Sequence, residues 1–400
     1  MKNKKLMFYS HQTIDEDDVN EVSKALTKDL ITTGPYVQKF EKQIARFTGS
    51  KYAVVCSNGT AALLMAYHAI QLKKGSKVLL PSMTFVGTAN AALLSGFTVD
   101  FVDCYEKSGL ISIESLEKKL RKTKYDLVVP VHMNGRAVEL EKIYELSKKY
   151  NFLIFDDASH ALGTQYINSK SERSMIGCCK YSQMTTFSFH PVKNITMGEG
   201  GVVTTNDKNL YENLKKFRNH GIDNNPKNFK NNDLANSSDG KVNPWYYEVS
   251  DPGFNFRASD INCALGLNQL KKLNKFKRKR KNLISIYEKL LLENDLVDIV
   301  SMSKLKGVSW HLFVLKINFN SLKIDRSRLM HLLLKKKIRT QVHYIPVHLM
   351  PLYKKNNVKL DGTISYYRSI LSFPLFPKME KEDVDYISKT LIKILEKFRK

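Results

Sequence analysis

The sequence predicts an α/β fold, and three observations lead to that prediction. Between Lys51 and Asn206, short apolar runs alternate with segments of helical periodicity, which is typical of βα units around a mostly parallel sheet. The 400 residues, 42% of them hydrophobic, are enough to bury a large core and favour two domains. A long basic helix then leads into a smaller α+β region. We therefore expect a sheet domain over residues 1–265 and a smaller C-terminal domain over residues 266–400.

Seven apolar runs are the predicted strands: Tyr52–Ser57, Lys77–Pro81, Thr98–Val102, Asp126–Val131, Phe152–Phe155, Met184–Phe189 and Gly201–Thr205. Helices are predicted over Ala137–Tyr150, Ser259–Leu292 and Lys381–Arg399, where apolar residues recur on one face. The Asn-rich stretch Asp223–Asn243 also carries Pro and Gly. Its composition favours an extended or mobile surface insertion.

Charge and hydropathy limit the classes of function. The formal net charge of +25 fits a nucleic-acid or membrane-surface partner in principle. The densest basic runs, Lys275–Lys281 and Lys335–Lys337, lack an aromatic platform or a DNA-reading motif. Solvated helix faces are therefore favoured, with attraction of a phosphorylated substrate as the alternative. The least charged stretch, Val78–Val99, is interrupted by Pro, Gly and polar residues, so no membrane span is predicted.

The N-terminus and the cysteines indicate a cytoplasmic location. No continuous apolar segment precedes the acidic run Asp15–Asp18, so no secretory signal is predicted. The cysteines are odd in number and lack metal-type spacing, which predicts reduced thiols and no metal site: Cys56, Cys104, Cys178, Cys179 and Cys263. The adjacent pair Cys178 and Cys179 is poorly placed for an unstrained disulfide.

Two motifs lie where predicted strands end. Ser57–Ala62 joins a strand to a helix, and the backbone N–H groups of a helix N-terminus bind phosphate, although a capped turn gives the same pattern. Phe155–His160 places two carboxylates after a strand, at the edge where parallel sheets bind ligands. A carboxylate there can pair with the protonated ring nitrogen of a cofactor. Capping or metal-binding acids are the alternative.

A third motif surrounds one lysine. Lys193 follows Phe187–Val192 and precedes the Gly-rich turn Gly198–Gly201. An apolar pocket lowers the pKa of a lysine and leaves the neutral amine that a Schiff base requires. The alternative is an ordinary surface lysine.

Together these motifs resemble the sugar-nucleotide aminotransferases of the DegT/DnrJ/EryC1/StrS type. The resemblance covers nearly the whole chain and extends to Thr84–Ala91, His220–Ile222, Gly253–Arg257 and Ala264–Gly266. It implies the aspartate aminotransferase-like fold, fold type I of the pyridoxal phosphate (PLP) enzymes, with a mixed seven-stranded sheet. Some members replace the lysine by histidine and catalyse dehydration or deoxygenation, so Lys193 favours an aminotransferase.

The resemblance also implies residue roles. Lys193 matches the Schiff-base lysine, and Asp157 matches the partner of the pyridine nitrogen. Gly59, Thr60 and Ser188 match positions that hold the cofactor phosphate, and Phe85 and His160 match residues that line its ring. Asn255 matches an asparagine that reaches the cofactor of the neighbouring subunit, which implies a homodimer. For these secondary residues, core packing or capping is the alternative.

Three segments resemble members that aminate the 4-keto group of a UDP-linked 6-deoxy-N-acetylhexosamine in pseudaminic acid synthesis: Phe8–Asp18, Trp245–Glu248 and Gln341–His348. The resemblance implies glutamate as amino donor. Substrate contacts are expected from Tyr9, Thr32, Asn58, His343 and Tyr344. The Asn-rich stretch and Ile167–Tyr181 are longer than the resemblance requires. The alternatives are a different nucleotide-linked keto sugar or a PLP-binding regulator without turnover.

Overall fold

The computed structural model describes residues 5–354 and 358–400. In chain order its strands are β1 (Tyr52–Cys56), β2 (Lys77–Pro81), β3 (Thr98–Val102), β4 (Leu127–Val128), β5 (Leu153–Asp157), β6 (Gln165–Ile167), β7 (Arg173–Met175), β8 (Met184–Ser188), β9 (Gly201–Thr205), β10 (Ile222–Asp223), β11 (Glu248–Val249), β12 (Val297–Ile299), β13 (Phe313–Ile317) and β14 (Ile370–Phe373). The α-helices are α1 (Glu16–Leu26), α2 (Pro35–Thr48), α3 (Gly59–Ala69), α4 (Val86–Leu94), α5 (Ile113–Leu120), α6 (Leu140–Tyr150), α7 (Lys208–Arg218), α8 (Asn232–Ala235), α9 (Asp260–Leu291), α10 (Arg326–Lys335), α11 (Asp361–Ser369) and α12 (Lys381–Lys397).

A mixed sheet of seven strands forms the centre, in the order β1-β9-β8-β5-β4-β2-β3. Strand β9 is antiparallel to both neighbours, and the other strand pairs are parallel. Successive strand residues face opposite sides, so Val55 packs toward one core and Val54 toward the other. Helices α2, α5, α6 and α9 cover the first face, and α3, α4 and α7 cover the second. The prediction of an α/β fold with a mixed seven-stranded sheet is confirmed.

A smaller α+β layer follows the sheet. Strands β12, β13 and β14 form an antiparallel sheet, and its core includes residues of α10, α12 and the second half of α9. The N-terminal segment lies against this layer: Met7 forms a parallel bridge with Ile338, and the Leu375 N–H donates to the Tyr9 carbonyl at 3.0 Å. The first residues described are therefore packed beside the C-terminal part of the chain.

Several element boundaries differ from the predictions. Regular strand structure in the predicted run Asp126–Val131 is limited to β4, since Pro130 has no N–H to donate. Helix α6 begins at Leu140 and not at Ala137, because the Val138 N–H donates to the Nδ1 atom of His132, which holds the preceding turn. Helix α12 ends at Lys397, two residues before the predicted end.

The Asn-rich stretch is at the surface but is not simply extended. It contains a 3₁₀ turn at Pro226–Asn228 and the short helix α8, and the pairing of β10 with β11 closes it. Asn side chains cap both helical turns, which explains their frequency. The segment Ile167–Tyr181 contains strand β7, which pairs with β6.

The five cysteines are free thiols. Over residues 5–354 and 358–400, no helix has both the length and the apolar character required to cross a bilayer.

Candidate active site

Several of the predicted site residues lie at one edge of the central sheet. Asp157 is the last residue of β5 and Ser188 the last of β8, and these two strands are parallel neighbours. Gly59 begins α3, and Phe85 is the N-cap residue of α4. Parallel strands and the helices that follow them therefore bring residues from distant parts of the sequence to the carboxyl edge, where such sheets bind ligands.

The Asp157 carboxylate is buried and rigidly held. Its Oδ2 atom accepts a hydrogen bond from Thr88 Oγ1 at 2.7 Å. Its Oδ1 atom accepts from the Ser159 N–H at 3.1 Å and from Ser159 Oγ at 2.6 Å. A carboxylate has about four acceptor positions, so these three bonds leave capacity for one more donor. The group can therefore accept a ring N–H while its neighbours fix its orientation.

Lys193 lies near Asp157 in a loop between β8 and β9. Burial lowers the pKa of the Lys193 amine to about 8, and the nearby Asp157 charge opposes that decrease. The amine thus has a substantial neutral fraction near neutral pH, which is the form that attacks a carbonyl carbon.

The start of α3 forms a small cradle against β8. Asn58 caps the helix by accepting the Ala61 N–H at 2.8 Å. A Cβ atom at Gly59 would lie 2.8 Å from the Ser188 Cβ, so only glycine permits this close approach. The Gly59 and Thr60 N–H groups donate to no acceptor within the described residues. Such N–H groups at a helix N-terminus suit a phosphate.

Aromatic and histidine side chains enclose the other side. The Tyr344 hydroxyl lies 3.0 Å from His160 Nε2, and its ring lies 5.7 Å from that of Phe85. The ring of His343 packs between Tyr344, at 5.0 Å, and Tyr9, at 4.9 Å. These side chains join the N-terminal and C-terminal segments to the Asp157 edge of the sheet.

The histidines of this group are neutral. Burial lowers the pKa of His343 to about 3, and the positive charge of Lys193 contributes in the same direction. Burial, followed by Lys193 and His343, holds the pKa of His160 well below its usual range. The His343 Nδ1 atom lies 2.9 Å from Ser372 Oγ, which fixes the ring. These lowered pKa values favour the neutral form of both histidines beside Lys193.

Two predicted residues lie apart from this cluster. Thr32 is exposed and forms an isolated bridge with Ser259, and Asn255 is exposed and forms one with Asn219. A third, Asn58, uses its side chain to cap α3. The roles assigned to these residues stay predictions.

Four residues of the site received no role from the sequence. Thr88, in the motif Thr84–Ala91, and Ser159, in the motif Phe155–His160, both donate hydrogen bonds to Asp157. His311 packs its ring 4.5 Å from that of His160, and Arg280 contacts the Lys193 loop. The two histidines leave their Nδ1 atoms without a partner in the described structure. Unsatisfied buried atoms are rare in folded proteins, and a catalytic role or a bound water or ion is among their explanations.

The model of the DegT/DnrJ/EryC1/StrS aminotransferase family matches residues 12–392. The chain belongs to this family. Its sequence is 36% identical over 399 residues, 99% of each chain, to the UDP-4-amino-4,6-dideoxy-N-acetyl-beta-L-altrosamine transaminase of Campylobacter jejuni strain 81-176. The predicted family, enzyme class and cofactor are confirmed: the protein is a PLP-dependent sugar aminotransferase.

Two solved structures are similar over most of their length. Helicobacter pylori PseC, described as an aminotransferase of pseudoaminic acid biosynthesis, has a TM-score of 0.88 at 30% identity, with 98% of this chain and 100% of that chain covered. NtdA from Bacillus subtilis, with bound cofactor PMP, has a TM-score of 0.82 at 25% identity, with 99% and 87% covered. The fold of this aminotransferase is thus the predicted aspartate aminotransferase type.

Proposed function

We propose that this aminotransferase moves the amino group of glutamate onto the 4-keto group of a UDP-linked 6-deoxy-N-acetylhexosamine, in the cytoplasm and as a homodimer. We infer the substrate class from the similarity to the C. jejuni transaminase, which extends over 99% of both chains. The substrate class is also supported by the residues predicted to contact the sugar. Tyr9, His343 and Tyr344 lie together, close to Lys193 and Asp157.

The residues at the sheet edge fit PLP. The N–H groups at the start of α3, with Ser188, would hold its phosphate, and Asp157 would accept its ring N–H. Bound PLP supplies an aldehyde that takes up an amino group and a ring that accepts electrons. Thr88 and Ser159 orient the Asp157 carboxylate, whose negative charge would favour the protonated form of that ring nitrogen.

Lys193 has two tasks in this proposal. Its neutral amine is the group that would bond to the cofactor aldehyde, with loss of water. When it is not bonded to the cofactor, the Nζ atom could move a proton, because a pKa of about 8 lets it both accept and donate near neutral pH. Neutral His160 and His343 add no positive charge that would repel the proton on Nζ.

Substrate recognition is assigned to the aromatic side of the site. Burial raises the pKa of the Tyr9 hydroxyl, although the charge of Arg339 opposes the rise. Burial also raises the pKa of the Tyr344 hydroxyl, so both tyrosines stay protonated as neutral donors. Neutral donors can bind sugar hydroxyls and a carbonyl without the desolvation cost of a charge.

The homodimer is supported by the surface around Asn255. Large apolar side chains are exposed in the same stretch of chain: Trp245 is 75% exposed, Tyr247 55% and Phe254 54%. Exposed apolar groups of this size are typical of an interface with another chain. A second subunit covering them would place Asn255 close to the partner, as the resemblance implies.

Turnover of a panel of nucleotide-linked 4-keto sugars with glutamate, followed by mass spectrometry of the products, tests the substrate class. We expect a mass gain for amination on the UDP-linked 6-deoxy-N-acetylhexosamine. Tyr9→Phe and His343→Ala should lower its conversion and leave the glutamate half-reaction intact. Preferred turnover of a thymidine-linked sugar would contradict the assignment and favour a different nucleotide sugar.

The assembly is tested separately by mixing Lys193→Ala and Asn255→Ala chains. If Asn255 completes the partner's site, the mixed dimer has one intact site and recovers activity that neither parent variant shows. A fully active monomer at micromolar concentration would contradict the homodimer.

A further inference from the structure

The main chain around Lys193 is held from outside its own loop. Three consecutive carbonyl groups accept side-chain hydrogen bonds: Val192 O from Ser10 Oγ at 2.9 Å, Lys193 O from an Arg280 guanidinium nitrogen at 3.3 Å, and Asn194 O from the other at 3.4 Å. Residues 191–200 form neither helix nor strand. The position of the lysine backbone therefore depends on these bonds more than it would inside a regular element.

Arg280 is an unusual residue for this place. It is 2% exposed, and within the described residues no carboxylate forms an ion pair with it. Its Nε atom has no hydrogen-bond partner in the described structure either. Burial lowers the pKa of Arg280 to about 10. A buried cation without a counter-charge is costly, and an apolar side chain of similar size would fill the space at lower cost. Core packing alone does not explain the arginine.

The two donors come from different parts of the chain. Ser10 belongs to the N-terminal segment, which also contributes Tyr9 to the aromatic side of the site. Arg280 lies on α9 just before Leu283 and Ile284, which enter the core of the small α+β layer. The Lys193 loop is thus fixed by the elements that border the site, in addition to its own main-chain hydrogen bonds such as the one from the Lys193 N–H to the His190 carbonyl at 2.9 Å.

We propose that Ser10 and Arg280 form a clamp that positions the main chain of Lys193, so that its amine meets the cofactor aldehyde. Both are positioning residues and act only through the lysine. This inference rests on the proposed bond between Lys193 and PLP.

A double-mutant cycle tests the clamp through equilibrium binding of PLP to the cofactor-free chain. Arg280→Met is made both in the parent and in the Lys193→Ala variant, in which binding is non-covalent. We expect Arg280→Met to weaken PLP binding about tenfold or more in the parent, on the scale of hydrogen bonds to a charged group. In the Lys193→Ala background the change should be less than about twofold, because the clamp has no amine to position.

If Arg280→Met does not fold, two less disruptive substitutions test the same proposal. Ser10→Ala removes one neutral hydrogen bond and should weaken binding about fivefold, again only when Lys193 is present. Arg280→Lys retains a donor and should restore most of the loss. Arg278→Met, at an exposed site on the same helix, is the matched control and should change nothing.

Equal losses in both backgrounds would overturn the clamp, because they would show that Arg280 supports the pocket and not the lysine. Borohydride reduction of the parent with PLP, followed by peptide mass spectrometry, separates this outcome from failure of the proposed function. If reduction attaches PLP to Lys193 but the losses of PLP affinity are equal in both backgrounds, only the clamp is contradicted. If reduction attaches PLP to a different lysine, both the role of Lys193 as the PLP-bonding residue and the clamp are contradicted.

Discussion

The lowered pKa of Lys193 can be measured directly, and Asp157→Asn perturbs it in a defined direction. A pKa of about 8 leaves roughly 10% of the amine neutral at pH 7. An ordinary lysine has only ~0.03% neutral amine at that pH. Trace acetylation of the cofactor-free enzyme at a series of pH values, with peptide mass spectrometry, reports the neutral fraction of Lys193 against an internal amine standard.

The Asp157 charge raises the pKa of Lys193, because a nearby carboxylate favours the ammonium form. Asp157→Asn removes that charge and keeps the side-chain shape. The midpoint of Lys193 labelling should therefore move below about 8, and labelling at pH 7 should increase. Ser182→Ala, which alters the neighbouring Asp156 and not Asp157, is a control that should leave the midpoint unchanged. A midpoint near 10 in the parent, or an upward shift in Asp157→Asn, would refute the reasoning.

Three further predictions concern binding and stability. Thr88→Val deletes a 2.7 Å hydrogen bond to Asp157 and should cost about 1.5–3 kcal/mol of unfolding free energy, measured by urea denaturation, together with a weaker PLP affinity. Gly59→Ala brings a Cβ atom to 2.8 Å from Ser188 and should weaken PLP binding by the ~1–3 kcal/mol that overpacking costs, measured by equilibrium titration; an unchanged affinity would contradict the cradle. Tyr9→Phe should lower kcat/KM for the sugar about tenfold with the glutamate half-reaction unchanged; equal losses in both would show a general structural role.

The sequence predicts most strands because their signal is local. Apolar runs such as Lys77–Pro81 and Gly201–Thr205 match the observed bounds. The direction of β9 has no such signal, since residue alternation is the same in a parallel and an antiparallel strand. Asp126–Val131 was predicted too long because its hydropathy continues through Pro130, whereas strand pairing requires an N–H donor.

Site residues could be predicted where they lie in a motif at the end of a strand. They could not be predicted where their role depends on a hydrogen bond between residues far apart in the sequence. Asp157 and Lys193 lie within recognisable motifs, and the structure places them together. The bond from Thr88 to Asp157 spans 69 residues, and those from Arg280 to the Lys193 loop span 86 and 87. Arg280 lies within the basic run Lys275–Lys281, so the sequence alone does not distinguish this buried residue from its solvated neighbours.

The 32-residue helix α9 determines how the molecule can be divided. At 1.5 Å per residue it is about 48 Å long and works as a single rod. Its earlier turns bury Leu273 and Phe276 in the core of the large sheet, and its later turns bury Leu283 and Ile284 in the small layer. The predicted division after residue 265 falls in its second turn, so a truncation there would expose apolar faces on both fragments. The two layers therefore share one structural element, and neither keeps its full apolar core without this helix.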